Sequence, residues 1–363
     1  MELLYKPDWE ETKERYRRWW SGDYFGRCGL WVTAPKANHG AEAPPRQPDR
    51  IEDRWLDLDY LRAVNEYHLS TAFYGGEAFP IWSPGYSGWN SLGAFLGCSV
   101  TLHETTGWID PLIADGDLTG HDYRRLVINP ENPWWQKQLE ILCVEAGEAR
   151  GKSIPSTGAF GGSGDTLAAL RTTNKLLYDV LDCPEYVREF DQYLMAQWCG
   201  VYDIFHAALR DVANGGSTGW FPLWAPGKFY AAQNDFSYMI SPKTFREVFL
   251  PSVEMQTRFL DFTVYHVDGV EAFAHVPALC DLPRLQALQI LPGAGKPSPL
   301  HYLETLKYVQ SRSKNLHISI RANEVKDALD LLSARGLFIT TSCASEAEAV
   351  ELLKNCEKWS KDR

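Results

Sequence analysis

Short apolar or β-branched runs alternate with amphipathic stretches along most of this 363-residue chain. Each run stops at Gly, Pro or a polar residue, which marks it as a strand candidate. Eight are found, at 27–35, 78–85, 153–162, 219–227, 262–269, 285–293, 315–321 and 336–343. Helical periodicity lies at 8–20, 133–150, 165–182, 185–211, 242–260, 299–313, 323–334 and 345–359. Strands separated by helices cannot pair as hairpins, so the pattern predicts a parallel sheet. Eight candidates favour an α/β fold closed as a single (β/α)8 TIM barrel over an open sheet. A charged, Pro-rich stretch at 36–54 reads as a surface loop and not as a domain linker. The expected organisation is one domain over 1–363, with a helical and loop extension at 1–54 and a barrel at about 55–360.

Thirty-six Lys and Arg against 47 Asp and Glu leave a formal charge of −11. An acidic chain gains nothing from counterion release on phosphate backbones, so nucleic acid is excluded as the expected partner. The same sign disfavours an anionic membrane surface. No apolar run reaches the length of a transmembrane helix. The opening MELLYKPDWEETKERYRRWW has no apolar signal core, and the expected location is cytoplasmic. The eight Cys include no CxxC pair and are too sparse for a disulfide scaffold. Aromatic residues make up 13% of the chain, including 14 Trp, which points to an aromatic-walled pocket as well as a core.

Three motif-like segments fail on context. GEARGKS at 147–153 has three residues between its glycines where a P-loop needs four, and it follows a helix. The GxSxG letters at 215–219 run into WFPLWAPG, where Pro222 and Pro226 forbid the helix that a nucleophile elbow requires. GGSGD at 161–165 lacks dinucleotide-fold spacing.

FTVYHVDG at 262–269 is the most informative octet. Alternate strand residues share a face, so His266 and Asp268 point the same way at the C-terminal end. Catalytic groups of barrels gather at that end. Cys343 ends the last strand. Nitrogen, oxygen and sulfur ligands from His266, Asp268 and Cys343 suit Zn²⁺ with an open position. A metal-free hydrogen-bonded His266–Asp268 pair and a buried Cys343 thiol are the alternative.

Several segments carry a family resemblance. They are SLGAFLGCSVTLHETTGWIDPLI at 91–113, GAFGGSGDTLAALRT at 158–172 and DCPEYVREFDQYL at 182–194. NDFSYMISPKTFREVFLPSVEMQ at 234–256, YHVDG at 265–269 and LFITTSCAS at 337–345 complete the set. In order and spacing the chain resembles the uroporphyrinogen decarboxylase-like superfamily, in particular its corrinoid and cobalamin methyltransferase-like branch. The resemblance implies a (β/α)8 barrel with its site at the C-terminal mouth. It also implies zinc held at positions matching His266, Asp268 and Cys343, with Asp268 replacing the branch's middle Cys. Corrinoid would enter only as a methyl carrier on a partner protein, and a homodimer is reasonable. The decarboxylase branch's arginine-rich loop is matched by GLWVTAPKANHG, which holds only Lys36, while Glu77 is a candidate for that branch's early Asp.

Three readings follow. The first is a zinc-assisted methyl- or alkyl-group transferase acting on a small polar substrate, with Glu77 or Asp235 as acid/base. The second is a metal-free decarboxylase or lyase using His266, Asp268, Asp235 and Glu77. The third is a carbohydrate-active lyase or hydrolase, or a sugar-binding protein. Trp82 and Trp89, Trp220 and Trp224, Gln289 and Arg321 are the candidate substrate-binding residues for all three.

Overall fold

The computed structural model describes residues 3–38, 40, 43–85 and 91–363. Its strands are β1 (Gly29–Pro35), β2 (Ala72–Gly76), β3 (Ile81–Trp82), β4 (Ser99–Leu102), β5 (Gly107–Asp110) and β6 (Ile154–Pro155). The later ones are β7 (Phe229–Gln233), β8 (Phe262–Asp268), β9 (Ala287–Leu291), β10 (Asn315–Ser319) and β11 (Leu337–Ser342). The main sheet has seven strands in the order β2-β1-β11-β10-β9-β8-β7. All its neighbours are parallel except β1 and β2. Helices separate the parallel strands, as the alternating pattern requires.

The expected ring of eight strands is realised only in part. The ladders of the main sheet end at β2 and β7. Other pairings among the described residues include the short parallel pair β3–β6, the hairpin β4–β5 and a parallel bridge from Ser156 to Thr218. The Gly- and Pro-rich candidates at 153–162 and 219–227 shrink for a local reason. Pro155, Pro222 and Pro226 donate no backbone N–H to a ladder. The second stretch folds back on itself through an antiparallel bridge between Ser217 and Ala225, and the strand starts later, at Phe229. β2 and helices Ile51–Leu56 and Leu58–Thr71 were not expected. The helix expected over 165–182 breaks at Thr172, whose φ is +83°.

The N-terminal helix Trp9–Trp20 matches the periodicity read over 8–20, and it buries its aromatic face. Trp9, Tyr16, Trp19 and Trp20 share one apolar cluster with Phe79, Trp224, Phe229, Val264, Ala287 and Phe338. These strand residues lie at the beginnings of β7, β8, β9 and β11, so the helix covers the N-terminal end of the sheet. Trp20 Nε1 donates to the Trp224 carbonyl at 2.9 Å, and Trp19 Nε1 donates to the Gly336 carbonyl at 3.1 Å.

Two candidate site residues belong to this structure instead. Trp224 is fully buried there, edge-on to Trp9 at 5.6 Å. Glu77 is 1% exposed and is enclosed by cations. Arg27 binds it through two nitrogens at 2.6 and 2.7 Å, Arg15 Nε at 2.6 Å, and the Leu30 amide at 2.6 Å. Burial alone would raise the Glu77 carboxyl, but Arg27, then Arg15 and the Leu30 N–H overcome it and hold it at about 2. A carboxylate with both oxygens engaged by arginines has no role as a free acid or base. Trp82 is likewise packed away, in a small cluster with Leu69 and Ala149.

Replacing Glu77→Gln leaves Arg27 buried beside a neutral group, so it should cost about 3–5 kcal/mol in chemical denaturation. A depressed carboxyl stabilises the fold above its unfolded value. That stability is lost as pH falls from about 4.5 toward 2. The wild type should therefore show a destabilising step in that acid window that Glu77→Gln lacks.

Candidate metal centre and active-site cavity

The register of the parallel strands builds the site. Gln233 of β7 pairs with His266 of β8, and His266 pairs with Gln289 of β9. Two residues earlier, Ala231, Val264 and Ala287 lie in the cluster beneath the N-terminal helix. Period two therefore sends Gln233, His266 and Gln289 to the same side, one layer nearer the C-terminal mouth.

His266 Nδ1 contacts Gln289 Oε1 closely. A carboxamide oxygen only accepts, so Nδ1 carries the proton and the Nε2 lone pair is free. Nε2 stands 3.9 Å from Asp268 Oδ2, too far for a hydrogen bond. Asp235 reaches the same point from the turn after β7, in the 3-10 helix Asp235–Met239. Asn234 caps that turn, its Oδ1 accepting from Ser237 N at 3.0 Å. Asp235, His266 and Asp268 each offer a ligand atom, all within 4.8 Å of one another. Asp268 Oδ1 is buried with no hydrogen-bond partner among the described residues. An unpartnered buried oxygen, a lone pair held by a fixed tautomer and a second carboxylate together form a group that could hold a divalent cation. The set is nitrogen and oxygen only, harder than a thiolate site, and compatible with Zn²⁺.

Asp235 and His266 open onto a cavity of about 1020 Å³. Its walls include Trp220, Gly158, Asp165, Gln233, Asp235, Met239 and His266. The Trp220 ring stands edge-on to His266 at 5.2 Å, anchored by its Nε1 donating to Ala231 O at 3.1 Å. Asp165 opens helix Asp165–Arg171 and accepts from Gln233 Nε2 at 3.1 Å and from Phe236 N at 3.0 Å. Gly164 permits this approach: its φ is +78°, and a Cβ there would stand 2.5 Å from Asn234 Oδ1. Burial, reinforced by the charge of Asp235, pushes Asp165 up to about 7. Asp235 faces the open cavity yet lies deep in it. Burial raises its carboxyl, His266 opposes the rise and Asp268 adds to it.

The sequence candidates divide accordingly. His266, Asp268 and Asp235 are brought together, and Trp220 walls their cavity. Gln289 orients His266 and is not among the residues lining the cavity. Cys343 does not join the cluster. Its side chain packs partly buried against the outer core, and burial, then Glu348, raises its thiol, which opposes a thiolate ligand. The reason is strand parity. Phe338 of β11 faces the inner cluster and Thr340 bonds His317, so residues of odd number on β11 point outward. Arg321 lines a second cavity. Trp89 lies outside the described residues. Asp165 and Gln233 were missed. The signal for Asp165 was present as a glycine run ending in Asp at a helix start, but it reads equally as an ordinary cap.

No family model matches the sequence, and no curated protein matches it. Among solved structures the chain is similar to a methyltransferase from Methanosarcina mazei. The TM-score is 0.60 and the identity 13%, over 96% of this chain and 98% of that one. At that identity the likeness shows a shared fold. No helix among the described residues is long and apolar enough to cross a membrane.

Elemental analysis of protein purified without a polyhistidine tag should find about one divalent cation per chain. Asp235→Asn and His266→Ala should lose it, and Cys343→Ser should keep it. Gln289→Ala removes the partner that orients the imidazole and should weaken cation affinity about 10–100-fold.

Proposed function

We propose that this protein is a metal-assisted methyl- or alkyl-group transferase. It works as one closed (β/α)8 barrel domain of the uroporphyrinogen decarboxylase-like kind, with its site at the mouth. The observation that carries the reading is the convergence of Asp235, His266 and Asp268, with an unpartnered Asp268 oxygen. The long structural likeness to a protein named as a methyltransferase supports the class of reaction. A cation such as Zn²⁺, when bound, supplies Lewis acidity and favours the deprotonated form of an acceptor thiol or hydroxyl.

The chain's own residues do the rest. His266, Asp235 and Asp268 hold the cation, and Gln289 fixes the imidazole tautomer. Trp220 closes one wall and keeps bulk water off the imidazole. Asp165, held by Gln233 and the Phe236 amide, faces the same cavity and is positioned to take the acceptor's proton. The acceptor atom then forms its bond to the methyl carbon, and the donor leaves with the electron pair of the bond that breaks. In this reading the methyl carrier is a small molecule or a separate corrinoid protein, and the chain acts as a homodimer.

A second reading keeps the same residues without the cation. Three carboxylates, Asp165, Asp235 and Asp268, beside His266 form a proton-transfer set for a decarboxylase or lyase. The sugar-site reading keeps Trp220 at the cavity but loses Trp82 and Trp224, which are packed in cores away from it.

The first two readings part on cation dependence. Methyl transfer from a panel of small donors to thiols should fall at least about 100-fold after chelation and return with Zn²⁺, and Asp235→Asn should match the chelated wild type. Transfer that is indifferent to chelation would overturn the metal-assisted mechanism. Decarboxylation or elimination by cation-free protein would establish the second reading.

A further inference from the structure

Two sulfurs that the reacting centre does not use lie in contact on the outer side of the sheet. Cys28 directly precedes β1, and period two puts Cys28, Leu30 and Val32 on one face. The C-terminal helix Glu346–Trp359 turns Ala349, Leu352 and Cys356 inward at helical spacing. All six share the outer core. There Cys28 Sγ and Cys356 Sγ stand 3.5 Å apart, the one pair of cysteine sulfurs in hydrogen-bond contact among the described residues. Both are free thiols and both are buried.

The surroundings are not those of an inert core thiol. Arg27 Nη1 donates to the Cys28 carbonyl at 2.7 Å and to Glu77 Oε2 at 2.6 Å, which fixes a buried guanidinium beside the pair. The hydrogen bond from Cys28 lowers the Cys356 thiol; burial opposes this, and Arg27 and Ser360 add to it. Ser360 is the outer cover. Its hydroxyl accepts from the Cys28 amide at 3.2 Å and stands 3.9 Å from Cys356 Sγ. Ser360 directly follows the helix, so fraying of the last turn, residues 356–359, uncovers the pair without disturbing the sheet.

We infer that Cys28 and Cys356 form a reversible disulfide when the protein meets hydrogen peroxide, and that the bond fastens the C-terminal helix to the start of β1. The sulfurs need to close by only about 1.5 Å. The Cys356 sulfur attacks the peroxide: an S–O bond forms, the O–O bond breaks and hydroxide leaves. The Cys28 sulfur then attacks the Cys356 sulfur: the S–S bond forms, the S–O bond breaks and the oxygen leaves as hydroxide. The two thiol protons neutralise the two hydroxides. Two thiols are thus oxidised by two electrons in all, and the peroxide is reduced to two waters. β1 and β11 are neighbours in the sheet, and the helix follows β11. The disulfide therefore closes the seam between the first and last parallel strands. Nearly the whole chain lies inside the loop, the case in which the unfolded state loses most freedom. The pair shares no residue with the cation cluster, so its oxidation is independent of the proposed reaction.

The test treats the full-length protein with hydrogen peroxide, blocks the remaining thiols with N-ethylmaleimide and maps peptides without reduction. The map should contain the Cys28 peptide linked to the Cys356 peptide, about 2 Da lighter than the two thiol peptides together, and dithiothreitol should release them. Cys28→Ser should lose the link and leave a sulfenic acid on Cys356 that dimedone captures. Cys356→Ser should lose the link and leave Cys28 unlabelled. Oxidised wild type should unfold at a midpoint roughly 5 °C above the reduced protein, and neither variant should show that rise. Exposed Cys143 reports that the oxidant acted. Oxidised Cys143 with no link between Cys28 and Cys356 would overturn the inference, and so would a link that survives in both variants. A link without any rise in the midpoint would overturn the fastening of the helix. The wild-type map decides the site by itself if either variant fails to fold.

Discussion

The parallel register of β7, β8, β9, β10 and β11 is the constraint on which the rest depends. It sets Gln233, His266, Gln289, His317 and Phe338 side by side as one row of inward side chains. A slip of one residue in any strand would turn its member of the row outward. Within the row His266 and His317 find partners on a neighbouring strand, while Gln233 donates to Asp165. His266 meets Gln289, and His317 Nε2 meets Thr340 Oγ1 at 2.8 Å. Burial holds His317 at about 3, with the charge of His266 adding to the effect, so His317 stays neutral inside the sheet. The His266 imidazole is thus one position in a packed layer, which is why its tautomer is fixed without any loop.

The layer below is dry, and the N-terminal helix makes it so. Four aromatic side chains from one helical face occupy the end of the sheet where the strands begin. The Glu77 carboxylate ties that helix, through Arg15, to the strand region that carries Arg27 and Leu30. Removing one partner of so buried a network leaves an uncompensated charge. Stability is therefore concentrated at the closed end, and the mouth is left open for polar groups whose burial is costly. Asp165 and Asp235, both raised by burial, show that cost.

The sequence was most legible where local period and spacing decide. The strands from β8 to β11 and the helices between them follow the expected alternation, and the His266–Asp268 face follows from period two within one strand. Non-local facts were not legible. Glu77 reads as an acid near a strand end until Arg15 and Arg27, 62 and 50 residues away in sequence, are seen to enclose it. Cys343 follows β11 at the correct height but on the wrong face, and parity there depends on which residue of β11 meets His317. Asp235 was a candidate acid but not a candidate ligand, because the short, Ala-containing strand before it was hidden behind the Pro-rich segment. Trp82 and Trp224 were misplaced for the same reason: tryptophans beside Gly and Pro mark a bend, not which side of the sheet the bend faces.

X-ray absorption at the edge of the cation carried by the purified protein separates a nitrogen- and oxygen-only site at β8 and the turn after β7 from one that includes sulfur. The account predicts a first shell of nitrogen and oxygen scatterers at about 2.0–2.2 Å, with an imidazole signature that disappears in His266→Ala. A sulfur scatterer near about 2.3 Å would return Cys343 to the site and contradict the geometry described above.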